Sequence, residues 1–208
     1  MIYEISQIQE QKRKKDRWNL YTEDGFLLSL SQETLYKSKL KVGSQLDQET
    51  LDRLKEEDTY LYAKELAADY LSYAPRTKKQ LFDHLLQKGI DETSAERATS
   101  LMEEYGYVDD WAYAKEFVRI YGQRWGPRVI EQKLRMKGVP LEMARRATEE
   151  INPAIKEQAA RDLFSKLQAK YAEQPAPKAR QKLYQAMLRK GYSYDDISAL
   201  WAAEDEDV

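Results

Sequence analysis

One short pattern, a large apolar residue followed three positions later by Lys-Gly, occurs three times along this chain: Leu85-Leu86-Gln87-Lys88-Gly89, Leu134-Arg135-Met136-Lys137-Gly138 and Met187-Leu188-Arg189-Lys190-Gly191. Four residues upstream of each stands another apolar residue: Leu81, Ile130 and Leu183. An i, i+4 apolar pair makes one buried stripe on a helix. The glycine then fits the left-handed residue just past a helix end, and the lysine sits near the negative end of the helix dipole. The starts are marked too. Thr77-Lys78-Lys79-Gln80 reads as a capping box behind Pro75, Gly126-Pro127 precedes the second copy, and Pro175-Ala176-Pro177 the third. Glycine to glycine, the spacing is 49 and then 53 residues. A period that long, with punctuation at matching places, predicts an array of helical repeats.

Each copy is flanked by further helical spacing. Ahead lie Ala63-Ala67-Tyr70, Ala114-Phe117-Tyr121 and Ala160-Phe164-Leu167. Behind lie Ala95-Ala98-Met102-Tyr105 (opened by a capping box at Thr93-Ser94-Ala95-Glu96), Ala144-Ala147-Ile151 and Ile197-Leu200-Trp201. The fold class expected is mainly α: three tandem three-helix repeats over 59–110, 111–152 and 153–208, stacked as an elongated, curved array because no unit buries its stripe well alone. The first 58 residues read differently. Ile2, Ile5 and Ile8 sit in an extended pattern, followed by the charged stretch from Glu10 to Arg17. Two apolar runs then flank Thr22-Glu23-Asp24-Gly25, a hairpin signal. A short helix follows Ser31, Leu40-Lys41-Val42-Gly43 reads as a turn or short strand, and Asp47 as the cap of another short helix. Residues 1–58 are thus a small strand-containing module. The third repeat is expected to carry a proline-rich insertion between its first two helices.

Composition removes whole classes of chemistry. The chain of 208 residues has no cysteine, which excludes disulfides, thiolate metal sites and thiol nucleophiles. Its N-terminus lacks a basic stretch leading into an apolar core, and no apolar run approaches a membrane span, so the expected location is cytoplasmic. Net charge is only −2 with 34% charged residues, so any polyanion partner must be announced by local clustering.

Catalytic constellations are not apparent, and neither an enzyme nor a cofactor is expected. His84, the single histidine, lies off the Leu81/Leu85 stripe and reads as an exposed helix residue. Asp109-Asp110 is a carboxylate pair that suits a divalent metal, but Asp110 fits a helix N-cap better, and Asp195-Asp196 opens the last helix in the same way. No glycine-rich phosphate loop is present. The acidic tail Glu204–Asp207 reads as solvated. The uneven feature is charge in the middle repeat. From Phe117 to Arg146 there are eight basic residues (Arg119, Arg124, Arg128, Lys133, Arg135, Lys137, Arg145, Arg146) against Glu131 and Glu142, with Tyr121 and Trp125 interleaved. Such a patch can follow a phosphate backbone or meet an acidic protein surface; the alternative is a solvated face with lysines laid over the core.

The run from Leu71 to Leu81, with Pro75-Arg76-Thr77-Lys78-Lys79-Gln80 at its centre, then Lys88-Gly89, then Gly106-Tyr107-Val108-Asp109-Asp110-Trp111-Ala112-Tyr113-Ala114, resembles the RecX family. Gly126-Pro127-Arg128-Val129-Ile130, Leu134 and Lys137-Gly138-Val139 are similar to its second repeat. The resemblance is specific over 60–150 and looser over 153–203. It implies three tandem three-helix repeats and a regulator of the bacterial recombinase RecA, binding the RecA filament on single-stranded DNA and mostly restraining its ATPase, strand-exchange and coprotease activities; some members also bind DNA directly. On that footing Arg119, Arg124, Arg128, Lys133, Arg135 and Lys137 are expected to contact the filament, with Arg76, Lys78 and Lys79 extending the surface. The competing expectation is a stand-alone DNA-binding helical module. No membrane partner is implied, and nothing demands more than a monomer.

Overall fold

The computed structural model describes residues 1–12 and 16–206. The middle of the Glu10–Arg17 charged stretch and the side chains of the acidic tail from Glu204 onward lie outside the described residues. The described chain forms two compact units, Met1–Ala74 with Leu81–Tyr107, and Pro75–Gln80 with the chain from Val108 onward. No helix of the described residues is long and apolar enough to cross a membrane.

The first unit begins with five short strands and one helix. Strand β1 (Ile2–Glu4) pairs antiparallel with β5 (Gln45–Asp47). Strands β2 (Gln7–Glu10), β3 (Arg17–Thr22) and β4 (Gly25–Ser31) form a meander, and the expected hairpin closes with Thr22 opposite Gly25. Helix α1 (Gln32–Ser38) starts where the sequence places it, with the Ser31 hydroxyl accepting from the Thr34 amide. Leu40–Gly43 is a turn, and the strand comes after it. One side of this module packs Ile5, Leu20, Leu28, Leu30 and Leu46 against Leu51 and Leu54.

Those two leucines belong to α2 (Gln48–Tyr73), and here the structure corrects the sequence reading. Asp47 does cap a helix, but that helix is 26 residues long rather than short. No glycine or proline interrupts it, and its buried positions continue from Leu51 and Leu54 to Leu61, Ala63 and Ala67. The division drawn between 58 and 59 therefore falls inside α2. At that point sits a buried ion pair. Asp58 is 5% exposed and accepts from the Ser31 amide (2.7 Å), the Thr34 hydroxyl (2.8 Å) and Arg17 Nη2 (2.8 Å), fastening sheet and α1 to the long helix. Helix α4 (Glu92–Glu104) packs on α2 and buries Ala95, Ala98 and Met102. It starts earlier than the Thr93–Glu96 capping box predicts, since Asp91 caps it through the Ser94 amide; Tyr105 past its end is exposed. His84, on α3 (Lys78–Gln87), is half-buried rather than solvated, its ring stacked on Tyr70 at 3.9 Å and 5°.

In the second unit, α5 (Asp110–Tyr121), α6 (Pro127–Met136) and α7 (Leu141–Glu149) surround Ala114, Phe117, Ile130, Leu134, Val139, Ala144 and Ala147. Helices α8 (Pro153–Tyr171), α9 (Ala176–Arg189) and α10 (Tyr194–Glu206) surround Phe164, Leu183, Met187, Tyr192 and Ile197. The proline-rich segment is not an inserted loop: Pro175 is the N-cap of α9 and Pro177 lies in its first turn, and the extra length of this repeat goes into a 19-residue α8 and a 14-residue α9. Two caps shift by one or more residues from expectation. Asp109, not Asp110, caps α5, and Ser193 caps α10 by exchanging hydrogen bonds with Asp196. Lys156 of α8 reaches the same Asp196 at 2.7 Å, pinning α8 to α10.

The middle helices of the repeats meet end to end. Gly89, Gly138 and Gly191 all adopt the left-handed conformation, at φ +82°, +92° and +95°. The next residue's amide turns back onto the helix in each, and its buried side chain (Ile90, Val139, Tyr192) closes the end, the Schellman arrangement. The carbonyls left pointing outward are then used. The Gly126 amide donates to Lys190 O (2.7 Å) and the Arg128 amide to Gly191 O (3.3 Å), so the N-terminus of α6 sits on the C-terminal end of α9. The Thr77 hydroxyl donates to Lys137 O (2.5 Å), so the N-terminal turn of α3 sits on the C-terminal end of α6. Thr77 and Gln80 form the expected capping box, and Asp110 accepts from the Lys78 amide at 2.8 Å. Negative and positive ends of helix dipoles face each other at both junctions.

Candidate binding surface of the middle repeat

Helix α5 carries aromatic residues at four-residue steps, and the row continues past its end: Tyr113, Phe117, Tyr121 and Trp125. Neighbouring rings lie 6.4, 4.5 and 4.9 Å apart between centroids. Helix α6 runs alongside with Lys133 and Lys137 at the same step. The Lys133 ammonium stands 4.2 Å over the Trp125 ring and Lys137 stands 6.0 Å over Phe117. Arg124 lies 5.3 Å from the Trp125 ring. Both lysines are half-buried, their stems laid along the aromatic row. Each cation over a ring is worth about 0.5–2 kcal/mol, more as water is excluded.

The remaining basic residues do not join this cluster. At 100° per residue, Arg128 and Arg135 lie about 20° apart on α6 but roughly 140° from Lys133, on the side away from Ile130 and Leu134. Both are exposed, with Glu131 between them in sequence and no ion pair among the described residues. Arg119 is held in a two-pronged bridge to Glu116, at 2.7 and 2.6 Å. Arg145 faces Glu142 (3.8 Å), and Arg146 faces Glu150 (3.6 Å) while lying 4.7 Å from the Trp111 ring. Glu116 and Glu150 stand just outside the Phe117–Arg146 window, so the sequence excess overstates the local charge. Arg76, Lys78 and Lys79 lie at the start of α3. Lys79 packs its stem where a side chain on Gly138 would sit, and the Lys78 amide is tied to Asp110.

A cationic feature the sequence reading missed lies beside the aromatic row. A cleft of about 550 Å³ is lined by Trp125 and Lys133 from the second repeat and by Lys170, Tyr171, Arg189 and Lys190 from the third. Carboxylates are absent from its described lining. Lys170 and Lys182 stand over the Tyr171 ring at 5.5 and 5.9 Å, as Lys133 does over Trp125. Trp125 and Lys133 belong to the basic, aromatic stretch that the sequence singled out, and Lys190 to the repeated Lys-Gly. The others come together from separate helices, which no linear window detects.

The paired carboxylates Asp109 and Asp110 are both engaged with backbone amides, and among the described residues no cluster of three His, Cys, Asp or Glu is placed to hold a metal.

Comparison with known proteins gives four successive domain matches. They are the regulatory protein RecX N-terminal domain over residues 3–47 and the first, second and third RecX three-helix domains over 63–99, 109–147 and 156–201. Regulatory protein RecX of Clostridium tetani is 30% identical over 205 residues, covering 96% of this chain and 93% of that protein. The same-named protein of Clostridium botulinum strain Alaska E43 is 32% identical over 198 residues, covering 93% and 92%. A crystal structure of regulatory protein RecX superimposes with TM-score 0.75 at 28% identity over 96% of this chain and 99% of that one. That of RecX from Lactobacillus salivarius gives 0.67 at 27% identity, over 72% and 98%.

Proposed function

Because the chain belongs to the RecX family of regulatory proteins, we propose that it binds the RecA filament on single-stranded DNA and restrains its ATPase, strand-exchange and coprotease activities, acting as a cytoplasmic, non-catalytic monomer. The observation that carries the reading to particular residues is the cationic surface of the second repeat. Arg124, Arg128 and Arg135 are exposed, Arg128 and Arg135 on the side of α6 opposite Lys133. Lys133 and Lys137 present their ammonium groups from over the aromatic row. Arg119, Arg76, Lys78 and Lys79 extend the contact, Arg119 by exchanging Glu116 for a partner's carboxylate.

The geometry favours this over a stand-alone DNA-binding module. Bases are gripped in single strands by open aromatic faces. Here Trp125 is stacked on Tyr121 and covered by Lys133, so the ring is already engaged. Few arginines remain for phosphates alone, and each contributes about −0.9 to the slope of log affinity against log salt.

The test is the ATPase rate of RecA filaments on single-stranded DNA, titrated with this protein, beside DNA binding measured without RecA. Inhibition at near-equal or lower protein with weak DNA binding supports the proposal; tight, steeply salt-dependent DNA binding with no effect on the filament replaces it by the second reading. Charge reversal at Arg124 and Arg128 together (Arg124→Glu, Arg128→Glu) is expected to raise the half-inhibitory concentration at least about tenfold, roughly 1.4 kcal/mol. Unchanged inhibition removes the residue assignment.

A further inference from the structure

We propose that the cleft of about 550 Å³ between the second and third repeats docks an acidic, amphipathic helix of another protein. Several cations elsewhere in this unit are answered by carboxylates of their own chain: Arg119 by Glu116, Arg146 by Glu150, Lys156 by Asp196 and Arg161 by Glu157. In the cleft, Lys133 of α6, Lys170 of α8 and Arg189 and Lys190 at the end of α9 come together without one in the described lining, and without an ion pair among the described residues. Helix α9 has none to give. From Ala176 to Lys190 it carries Lys178, Arg180, Lys182, Arg189 and Lys190 and no Asp or Glu. Like charges gathered in one cleft raise its potential, which draws in anionic groups and favours a partner of opposite sign.

The rest of the lining decides which anion fits. Val129, Leu163, Leu167 and Ala186 lie among the cations, and Met136 beside them is 77% exposed. A phosphodiester backbone has no apolar surface to cover these side chains, and bases are gripped by open aromatic faces. The two rings here are not open: Lys133 stands 4.2 Å over Trp125, and Lys170 and Lys182 stand 5.5 and 5.9 Å over Tyr171. An amphipathic helix meets both demands, laying its apolar face on the leucines and turning carboxylates toward the cations. An exposed methionine, unbranched and polarizable, adapts to such a face. Leu163, Leu167, Lys170 and Tyr171 fall on one side of α8 at i, i+4, i+7 and i+8, so the cleft runs about 12 Å along that helix, about two turns of an occupant. The chain's own Glu204–Asp207 is acidic but has no apolar residue, so it matches the cations and not the leucines. The inference does not rest on the filament reading, and its test contains no RecA.

The test is fluorescence anisotropy with the full-length protein and a fluorescein-labelled synthetic peptide, Glu-Leu-Leu-Glu repeated three times. A second peptide, Glu-Ala-Ala-Glu repeated three times, keeps the charge and the helical tendency and loses the apolar face. The first is expected to bind saturably and the second at least about tenfold more weakly. Lys170→Glu with Arg189→Glu, both exposed positions, should weaken the first peptide at least about tenfold. Lys166→Glu with Lys178→Glu makes the same change of charge outside this cleft and should leave the affinity within about twofold. Equal binding of both peptides, or equal effects of the two double variants, overturns the proposal. Displacement of the peptide by a thymidine oligonucleotide at lower concentration makes the cleft a nucleic-acid site instead. A protein ending at Ala203 that binds the first peptide at least about tenfold tighter assigns the cleft to the chain's own acidic tail and overturns the outside partner.

Discussion

Gly191→Ala and Gly89→Ala make the same local change at two ends of one design, and they should differ sharply in cost. Both glycines are left-handed, at φ +95° and +82°, so the strain of a Cβ there, about 1–2 kcal/mol, is common to both and cancels in the comparison. At Gly89 the new methyl points into open space. At Gly191 it lands 2.6 Å from the Val129 nitrogen and 2.9 Å from the Gly126 oxygen, both backbone atoms that no rotamer change can move. The junction must open. Opening forfeits the Gly126 amide bond to Lys190 O and the Arg128 amide bond to Gly191 O, about 1 kcal/mol each, and overpacking adds about 1–3 kcal/mol. Gly191→Ala is therefore expected to cost about 3–5 kcal/mol more than Gly89→Ala, a large part of a typical stability of about 5–15 kcal/mol. Urea unfolding followed by far-ultraviolet circular dichroism measures both, with the slope m checked for constancy. A difference below about 1 kcal/mol would show that the end-to-end junction adds little to stability and that the reasoning is wrong.

Asp58→Ala strips three donors of their acceptor, with Arg17 among them, and should destabilise by about 3–5 kcal/mol in thermal unfolding. The same carboxylate predicts a pH effect. Burial pushes Asp58 up, but the Ser31 and Thr34 donors and the Arg17 charge outweigh it and hold the group below its ordinary value. Its stabilisation is thus complete above the unfolded carboxylate pKa of about 3.9 and fades as pH falls through the lower folded value. Asp58→Asn should flatten that acid limb, and identical acid limbs in both proteins would contradict the assignment. At the other extreme, burial and then Asp196 and Asp162 push the Tyr192 phenol up to about 12. Stability from keeping it neutral is lost as pH rises past the unfolded value of about 10, so Tyr192→Phe should lose less stability than the parent between those values in an alkaline unfolding series. His84→Ala removes a ring stacked on Tyr70 and should cost about 1 kcal/mol beyond its lost area; no loss in urea would return His84 to a solvated role.

The repeats were legible because their signals are local. An apolar pair at i, i+4, a left-handed glycine and a proline at a helix start each act within a turn, so Leu81, Gly138 and Pro127 announce themselves. What failed was of two kinds. Caps compete with near neighbours: Asp109 beats Asp110 because Asp110 has a better use on the Lys78 amide, 32 residues away. Helix length also misled, since Asp47 reads as the cap of a short helix although no glycine or proline interrupts α2 before Tyr73. The candidate surface was half legible. The charge count found Arg124, Arg128 and Lys133, but pairing with Glu116 and Glu150 beyond the window, the opposed faces of α6, and the convergence of Lys170 and Arg189 with Lys133 depend on three-dimensional placement.

The two prolines at the start of α9 also bear on how many repeats such an array can hold. A tandem duplication of the second repeat would add a unit whose Gly126-like and Arg128-like amides can stack on the next Lys-Gly end. A duplication of the third would add one whose predecessor presents proline at both donor positions. Duplication of the second repeat thus adds a junction with both backbone donors, and duplication of the third adds one with neither.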